Sequence, residues 1–99
     1  MKHYIQQLNK AFENRVRLGV MSALQVNDFL DFNSLKELLA VTDGNLASHL
    51  KALEKEGYVS VNKSFIDRKP NTRYAVTPEG NKAFKEHIDA LEKLLNSQH

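Results

Sequence analysis

The sequence predicts a mostly helical α+β protein that forms a single domain over residues 1–99. Apolar residues recur at helical spacing over most of the chain, and a short stretch after Gly57 changes to the alternating pattern of strands. With 99 residues, of which 41% are hydrophobic, the chain is long enough for one modest core and too short for two. We therefore expect one domain.

The N-terminal part of the chain predicts one or two helices from about Tyr4 to Val26. Two successive apolar sets have helical spacing, Ile5, Leu8 and Phe12 in the first and Val16, Val20 and Leu24 in the second. Arg17 projects close to this apolar stripe. Its long side chain either passes the core to reach water or faces a phosphate or an acid, and the sequence leaves both interpretations open.

A short second helix is expected over "SLKELLAV". Ser34 followed by Glu37 has the spacing of a capping box, which predicts that Ser34 caps the helix. Leu35, Leu38 and Leu39 would then form its buried face. A third helix follows almost at once, so the two helices are expected to pack through a tight turn.

The third helix is predicted at about residues 43–56, in "TDGNLASHLKALEKEG". Thr42 or Asp43 can cap its start, and Gly57 is placed to end it. The predicted buried side consists of Leu46, Leu50 and Leu53. At 100° per residue these three leucines cluster on one side, which leaves small and polar residues on the other.

A hairpin is predicted next, over residues 58–77. Val59, Val61 and Phe65 share one face of its first strand, and Tyr74 and Val76 share one face of the second. The heptapeptide "DRKPNTR", residues 67–73, is interpreted as the loop at the hairpin tip.

The last helix is expected to start at Thr77 as the cap, with Pro78 at the first helical position, where a missing N–H has no cost. Its narrow apolar stripe consists of Phe84, Ile88, Leu91 and Leu95. The complete order is helix, helix, tight turn, helix, hairpin, long helix. This order is the layout of a winged helix-turn-helix with a two-stranded wing, a core at about 14–78 and additional terminal helices at 3–13 and 78–96.

The outer face of the third helix suits DNA. Small residues such as Gly44 let a helix enter the major groove, asparagine and serine exchange hydrogen bonds with bases or phosphates, and lysines reach phosphate oxygens. The candidate residues are Asn45, Ser48, His49, Lys51 and Lys55. An ordinary solvated face carries similar residues, and Gly44 has an equally good explanation in close helix packing.

The hairpin concentrates positive charge. Between residues 60 and 76 there are four cations, Lys63, Arg68, Lys69 and Arg73, against the single acid Asp67, which gives 4 − 1 = +3. Exposed cations gain little from ion pairs within a chain, whereas each one that contacts a polyanion releases counterions. Pro70 stiffens the segment. These features favour contact with phosphates or the minor groove over a merely solvated loop.

The terminal helices predict a homodimer. Their apolar residues, Ile5, Leu8, Phe12, Phe84, Ile88, Leu91 and Leu95, exceed what the core needs and can pair across a twofold axis. In the alternative, both helices fold back on their own domain.

Other functions find little support in the sequence. There is no cysteine, which excludes disulfides and thiolate metal sites. His3, His49, His87 and His99 are scattered, so no metal site or other cofactor is predicted, and no residue set forms a catalytic constellation. No transmembrane segment or signal peptide is recognised, and we expect a cytoplasmic protein that is not an enzyme.

Residues 14–84, which include "DGNLASHLKALEKEGYV" and the "KSFIDRKPNTRYAVTPEG" segment, resemble the one-domain winged-helix regulators related to the MarR and ArsR families. The resemblance implies a bacterial or archaeal transcriptional regulator that binds double-stranded DNA as a homodimer. Its recognition helix would carry Asn45, Ser48, His49 and Lys51, and its wing would carry Lys63, Arg68, Lys69, Thr72 and Arg73. The alternative is a winged-helix module that binds an acidic protein. Operator, regulated genes and any effector stay open.

Overall fold

The computed structural model describes residues 2–97, and its elements follow the predicted order. They are α1 (Lys2–Gln7), a 3-10 turn (Lys10–Phe12), α2 (Arg15–Gln25), β1 (Leu30–Asp31), α3 (Phe32–Leu39), α4 (Asp43–Lys55), β2 (Val59–Ile66), β3 (Lys69–Val76) and α5 (Pro78–Asn96). The prediction of a mostly helical α+β winged helix-turn-helix is confirmed. The short strand β1 was not predicted, and it extends the two-stranded wing to a three-stranded sheet.

Two asparagines divide the N-terminal segment. The side chain of Asn9 accepts a hydrogen bond from the backbone N–H of Ala11, and Asn14 accepts from those of Val16 and Arg17. Asparagine side chains replace the missing backbone partners at a helix start, so each one begins a new element. The expected one or two helices are therefore two helices separated by a 3-10 turn.

The start of α3 corrects one prediction. The cap is Asp31, whose carboxylate accepts from the N–H of Ser34 at 2.8 Å, and the helix begins at Phe32. Ser34 is thus inside the helix. The predicted apolar face is also narrower than expected, because Leu35 is buried and Leu39 partly buried, while Leu38 is 62% exposed.

The turn between α3 and α4 contains three residues, as the predicted tight connection requires. Ala40 has the left-handed conformation, with φ at 53°, and its N–H donates to the carbonyl of Glu37. Thr42 then caps α4, and Leu46, Leu50 and Leu53 are buried, both as predicted. After α4, Gly57 adopts φ +81° and ends the helix, because glycine enters this region without steric cost.

The sheet is antiparallel, with β3 between β1 and β2. Val59 lies opposite Val76 and Val61 opposite Tyr74, so the predicted faces pair. Phe65 continues the face of Val59 and Val61 but is 76% exposed, because the hairpin extends beyond the core.

The hairpin tip is much shorter than predicted. Only Asp67 and Arg68 form the turn, with φ values of 52° and 66°, which are the angles of a type I′ connection. Lys69 to Arg73 belong to β3, so the prediction that the whole heptapeptide is a loop was wrong. Pro70 is compatible with the strand because it lies opposite Phe65, next to the closing pair, where the alternation of an antiparallel ladder directs its missing N–H away from β2.

The core lies between α2, α3, α4, the sheet and the first half of α5. Its largest fully buried side chains are Phe12, Met21, Leu24, Leu35, Leu46, Leu50 and Leu53. Helix α5 starts at Thr77 and Pro78 as predicted, and its third residue, Gly80, lies against the backbone of Tyr58, directly before β2. A Cβ atom at Gly80 would overlap the carbonyl oxygen of Tyr58, so this contact requires glycine.

The molecule is elongated. Its Cα radius of gyration is 14.9 Å, whereas a compact chain of this length would have about 12.6 Å. The principal extents are 56, 25 and 21 Å. An elongated chain exposes more surface than a compact one of the same length, and this surface is accessible to binding partners.

Candidate nucleic-acid interface

Helix α4 is held at both ends. The hydroxyl of Thr42 accepts from the N–H of Asn45 at 3.3 Å, and the ammonium of Lys36 pairs with the carboxylate of Asp43 at 2.7 Å. The ion pair is exposed and contributes little stability, but it joins the end of α3 to the start of α4. At the other end, the N–H of Tyr58 donates to the carbonyl of Leu53.

The outer face of α4 is free of contacts with the core. Asn45, Ser48, Lys51 and Lys55 are exposed, together with Gly44 and Ala47. No atom lies within 4 Å of a Cβ built on Gly44, so close packing inside the chain does not explain this glycine. Four of the predicted residues thus lie on the exposed side of α4 together with these two small residues.

His49 is the exception on this helix, because it is only partly exposed. The Nε–H of Arg17 in α2 donates to its Nδ1 at 2.9 Å. Burial lowers the pKa of His49, and the positive charge of Arg17 lowers it further. The sequence had left two roles open for Arg17, and the structure shows a third, in which its guanidinium donates to the imidazole of His49 on the neighbouring helix.

The cations of the hairpin separate into two groups. Arg68 lies in the turn, Lys69 follows it at the start of β3, and Lys63 lies on β2 in the half of the hairpin nearer the turn; all three are exposed. Thr72 is opposite Lys63 and half-buried. These residues form the basic end of the hairpin.

Arg73 is engaged by the chain itself. Its guanidinium lies 4.3 Å from the ring centroid of Phe29, and its Nε–H donates to the side chain of Asn71 at 3.1 Å. The sequence predicted Arg73 at the entry of the second strand with its charge free, and the structure places it in the middle of β3, opposite Asp31 of β1. A cation over an aromatic face is stabilised by the ring quadrupole. Arg73 thus anchors the base of the hairpin.

Asp31 joins this base to α3. The hydrogen bond from the backbone of Ser34 holds the pKa of its carboxyl below the usual value, and Asn71 and Arg73 act in the same direction. Asp31 lies opposite Arg73 in the sheet. Asp31 thus caps a helix of the helix-turn-helix with its carboxylate and lies in β1, which pairs with the strand of the hairpin.

Among residues 2–97, no group of three His, Asp or Glu side chains is arranged to hold a metal ion. A depression of about 620 Å³ between the loop after α2 and the start of α5 is open to solvent. Over the same range, no helix is both long and apolar enough to span a bilayer.

With the geometry established, known proteins provide a comparison. A family model described as a winged helix DNA-binding domain matches residues 16–95. The chain belongs to this family. Within this domain α3 and α4 form the helix-turn-helix, and β2 and β3 form the wing.

Individual relatives agree with this assignment. The chain is 42% identical over 85 residues to the uncharacterized protein MJ0432 of Methanocaldococcus jannaschii, an alignment that covers 86% of this chain and 92% of that protein. A transcriptional regulator homologue from Pyrococcus horikoshii OT3 superposes with a TM-score of 0.89 at 29% identity, covering 99% of this chain and 98% of that one.

A MarR-family regulator from Enterococcus faecalis V583 shares the fold, with a TM-score of 0.66 at 24% identity over 98% of this chain and 80% of that one. The predicted relationship to winged helix-turn-helix regulators is confirmed. Family and neighbours support a DNA-binding transcriptional regulator and point away from an enzyme.

The terminal helices are arranged differently from the prediction. Phe12 and Phe84 were expected in a dimer interface, but they are 1% and 6% exposed and contact each other edge to face at 5.3 Å. The chain buries both by itself, since α1 and the 3-10 turn pack on α5. Of the other residues predicted for the dimer interface, Leu8 is half-buried. The exposed ones are Ile5, Ile88, Leu91 and Leu95.

His87 has a role that the sequence did not suggest. It is 5% exposed, and its Nδ1 accepts from the backbone N–H of Asn9 at 2.9 Å. The side-chain amide of Asn9 also donates to the hydroxyl of Tyr58 at 3.0 Å. Together Asn9, Tyr58 and His87 attach the N-terminal segment to α5 and to the start of the wing. A histidine 78 positions from its partner leaves no local pattern, and His99 lies outside the described residues.

Proposed function

We propose that the protein is a sequence-specific regulator that binds double-stranded DNA as a homodimer. Helix α4 enters the major groove, and the wing contacts the backbone or the minor groove beside it. The observation that carries this proposal is the exposed face of α4, with its small and polar side chains, in the same chain as a cationic hairpin.

In the proposed complex, α4 supplies specificity. Asn45 and Ser48 are exposed on its outer face and carry both donors and acceptors, so they can read base edges. Lys51 and Lys55 lie on the same face, where ammonium groups reach phosphates. Replacing Asn45 or Ser48 with alanine should change the preference among sequences by about 1–3 kcal/mol per base pair contacted.

The wing supplies affinity. Lys63, Arg68 and Lys69 are exposed and without hydrogen-bond or ion-pair partners among the described residues. Because a phosphate contact releases counterions, the double variant R68A/K69A should bind all sequences more weakly. The slope of log K against log salt should flatten by about 0.9 × 2, or roughly 1.8 per protomer. An unchanged slope would show that the wing does not hold DNA.

The homodimer would use the apolar residues of α1 and α5 that the chain leaves uncovered. Ile5, Ile88, Leu91 and Leu95 are between 39% and 64% exposed. Burying such side chains contributes on the order of 1.5–3 kcal/mol each, before the cost of association. Paired two-fold across this surface, two protomers would set their α4 helices on successive turns of the duplex.

Sedimentation tests the dimer. We expect the wild type to be a dimer at micromolar protein concentration. L91E/L95E should be a monomer, because dimerisation would bury the introduced carboxylates without partners. The control is Val26→Glu, at a residue that is 83% exposed and outside the terminal helices. A monomeric wild-type protein would remove the dimer from the proposal.

Selection of bound duplexes from a random pool tests the function itself. A palindromic consensus would be expected, with half-sites about one helical turn apart. Folded protein that enriches no sequence would overturn the proposal and favour the interaction with an acidic protein.

A further inference from the structure

The ring of His49 is held from one side only. Its Nδ1 accepts from Arg17, as described above, while its Nε2 has no partner among residues 2–97. Nε2 is not buried, in contrast to the side-chain amide nitrogen of Gln25, which is buried without a hydrogen-bond partner in the described chain. Because His49 is partly exposed, its Nε2 is open to a partner outside the chain.

The bond from Arg17 determines what this nitrogen offers. An Nδ1 that accepts a hydrogen bond carries no proton, so the proton of the neutral ring is on Nε2. The outward atom is therefore a donor. Without Arg17 the neutral ring would also populate the opposite tautomer, in which the outward nitrogen is an acceptor.

Several features keep His49 in the neutral form near pH 7. Helix α4 packs on α2 and β2, and the charged group that lies against the imidazole is Arg17, from α2. Burial and this charge both oppose a second proton on the ring, so they lower its pKa. A second proton would also leave Nδ1 and the guanidinium as two facing donors.

We propose that Arg17 is a positioning residue for DNA reading, which holds His49 with its Nε2–H as a donor to an acceptor on a base edge in the major groove. The proposal rests on the function proposed above. His49 is four residues after Asn45 and therefore adjacent to it on the helix surface. Guanine N7 and O6 are acceptors of the required kind.

The first measurement uses the free protein and no DNA. Long-range proton–nitrogen NMR spectra distinguish the tautomers of a histidine. We expect a single Nε2–H tautomer for His49 in the wild type and a mixture of tautomers in Arg17→Met. A wild-type ring with its proton on Nδ1 would overturn the inference, whether or not the protein binds DNA.

The second measurement is a double-mutant cycle on discrimination. The preference for the selected duplex over one changed at the base pair that His49 contacts should fall about two- to tenfold in Arg17→Met and in His49→Ala, the range of one neutral hydrogen bond. R17M/H49A should lose no more than either single variant, because Arg17 acts through His49. Arg17→Lys, which keeps the charge, should retain the salt slope of the wild type but lose discrimination.

The outcomes separate the two proposals. If R17M/H49A loses the product of the two single effects, Arg17 acts independently and the positioning role is wrong. If Arg17→Lys discriminates as well as wild type, charge alone accounts for Arg17 and the role is also wrong. If the wild type binds no duplex, the proposed DNA-binding function is wrong, and the role of Arg17 in DNA reading is wrong with it. The tautomer measurement still tests whether Arg17 fixes the ring of His49.

Discussion

Arg68 combines an unfavourable backbone with an exposed charge. It adopts φ 66° in a two-residue turn, where residues with a Cβ are strained by roughly 1–2 kcal/mol and glycine is not. We expect Arg68→Gly to increase the free energy of unfolding by up to about 1 kcal/mol. The same change should weaken DNA binding, because it removes a cation. Urea denaturation and binding titrations at several salt concentrations measure the two effects.

The matched control for Arg68 is its neighbour. Asp67 has φ 52° in the same turn, and Asp67→Gly relaxes the backbone without removing a cation. This variant should be more stable and bind DNA at least as tightly as the wild type, since an acid near the phosphates is lost. If both glycine variants bound DNA equally well, the cation of Arg68 would have no part in binding.

Gly44 lacks an explanation within the chain. The space around its Cα is open, so Gly44→Ala should stabilise α4 by about 0.5–1 kcal/mol, as alanine does in a helix. If the start of α4 approaches a DNA backbone closely, the added methyl group should nevertheless reduce affinity. Thermal unfolding and duplex titration of the one variant test both statements, and undiminished affinity would contradict the close approach.

At the scale of elements, the contact between α5 and the segment before β2 depends on Gly80. Alanine there would press its Cβ against the carbonyl of Tyr58, which is backbone and cannot move aside as a side chain does. We expect Gly80→Ala to destabilise the protein by about 1–3 kcal/mol, measured by urea denaturation. Gly44→Ala is the control, because it makes the same substitution in the first turn of another helix. Equal stabilities of the two variants would refute the overlap.

The elements could be predicted where their signals are local. Thr77 followed by Pro78 marks a helix start within two residues, and Leu46, Leu50 and Leu53 mark a buried face within eight. The start of α3 was missed because Asp31 and Ser34 are both good caps. The strand β1, which ends at Asp31, settles the choice through pairing with Arg73, 42 positions later in the sequence.

The side-chain contacts of the candidate nucleic-acid interface were also hard to predict, because they join residues far apart in the sequence. Arg17 and His49 are 32 residues apart, and no sequence pattern connects them. Arg73 looked unpaired because the hairpin was considered alone, whereas Phe29, which directly precedes β1, lies against its guanidinium. The positions of exposed residues follow from periodicity, but their partners follow only from the tertiary fold.

At the scale of the whole molecule, stability should depend on pH. Burial lowers the pKa of His87, an effect that the nearby Glu13 partly opposes, and burial and Arg17 lower that of His49. The folded protein thus prefers both rings neutral, whereas in the unfolded chain they titrate near about 6.5. The contribution of the two histidines to the free energy of unfolding is complete above that pH. It is lost as the pH falls towards their lower pKa values in the folded state.

We therefore expect the free energy of unfolding, from urea titrations, to decrease between about pH 7.5 and pH 5, above the range in which carboxylates titrate. In His87→Gln the amide oxygen can still accept from Asn9 but does not titrate. The decrease should be smaller in this variant, and an identical decrease in both proteins would show that His87 is not responsible.

The attachment of the N-terminal segment by Asn9 also concerns the order of folding. Its bond to His87 joins residues 78 positions apart, whereas the hairpin pairs residues 3 to 17 positions apart, and closing a long loop costs more entropy. We expect the hairpin and α4 to be structured in the transition state and the Asn9 contacts to form afterwards. Stopped-flow measurements of Asn9→Ala should then show faster unfolding at an almost unchanged refolding rate, so the terminal segment would govern the lifetime of the native state.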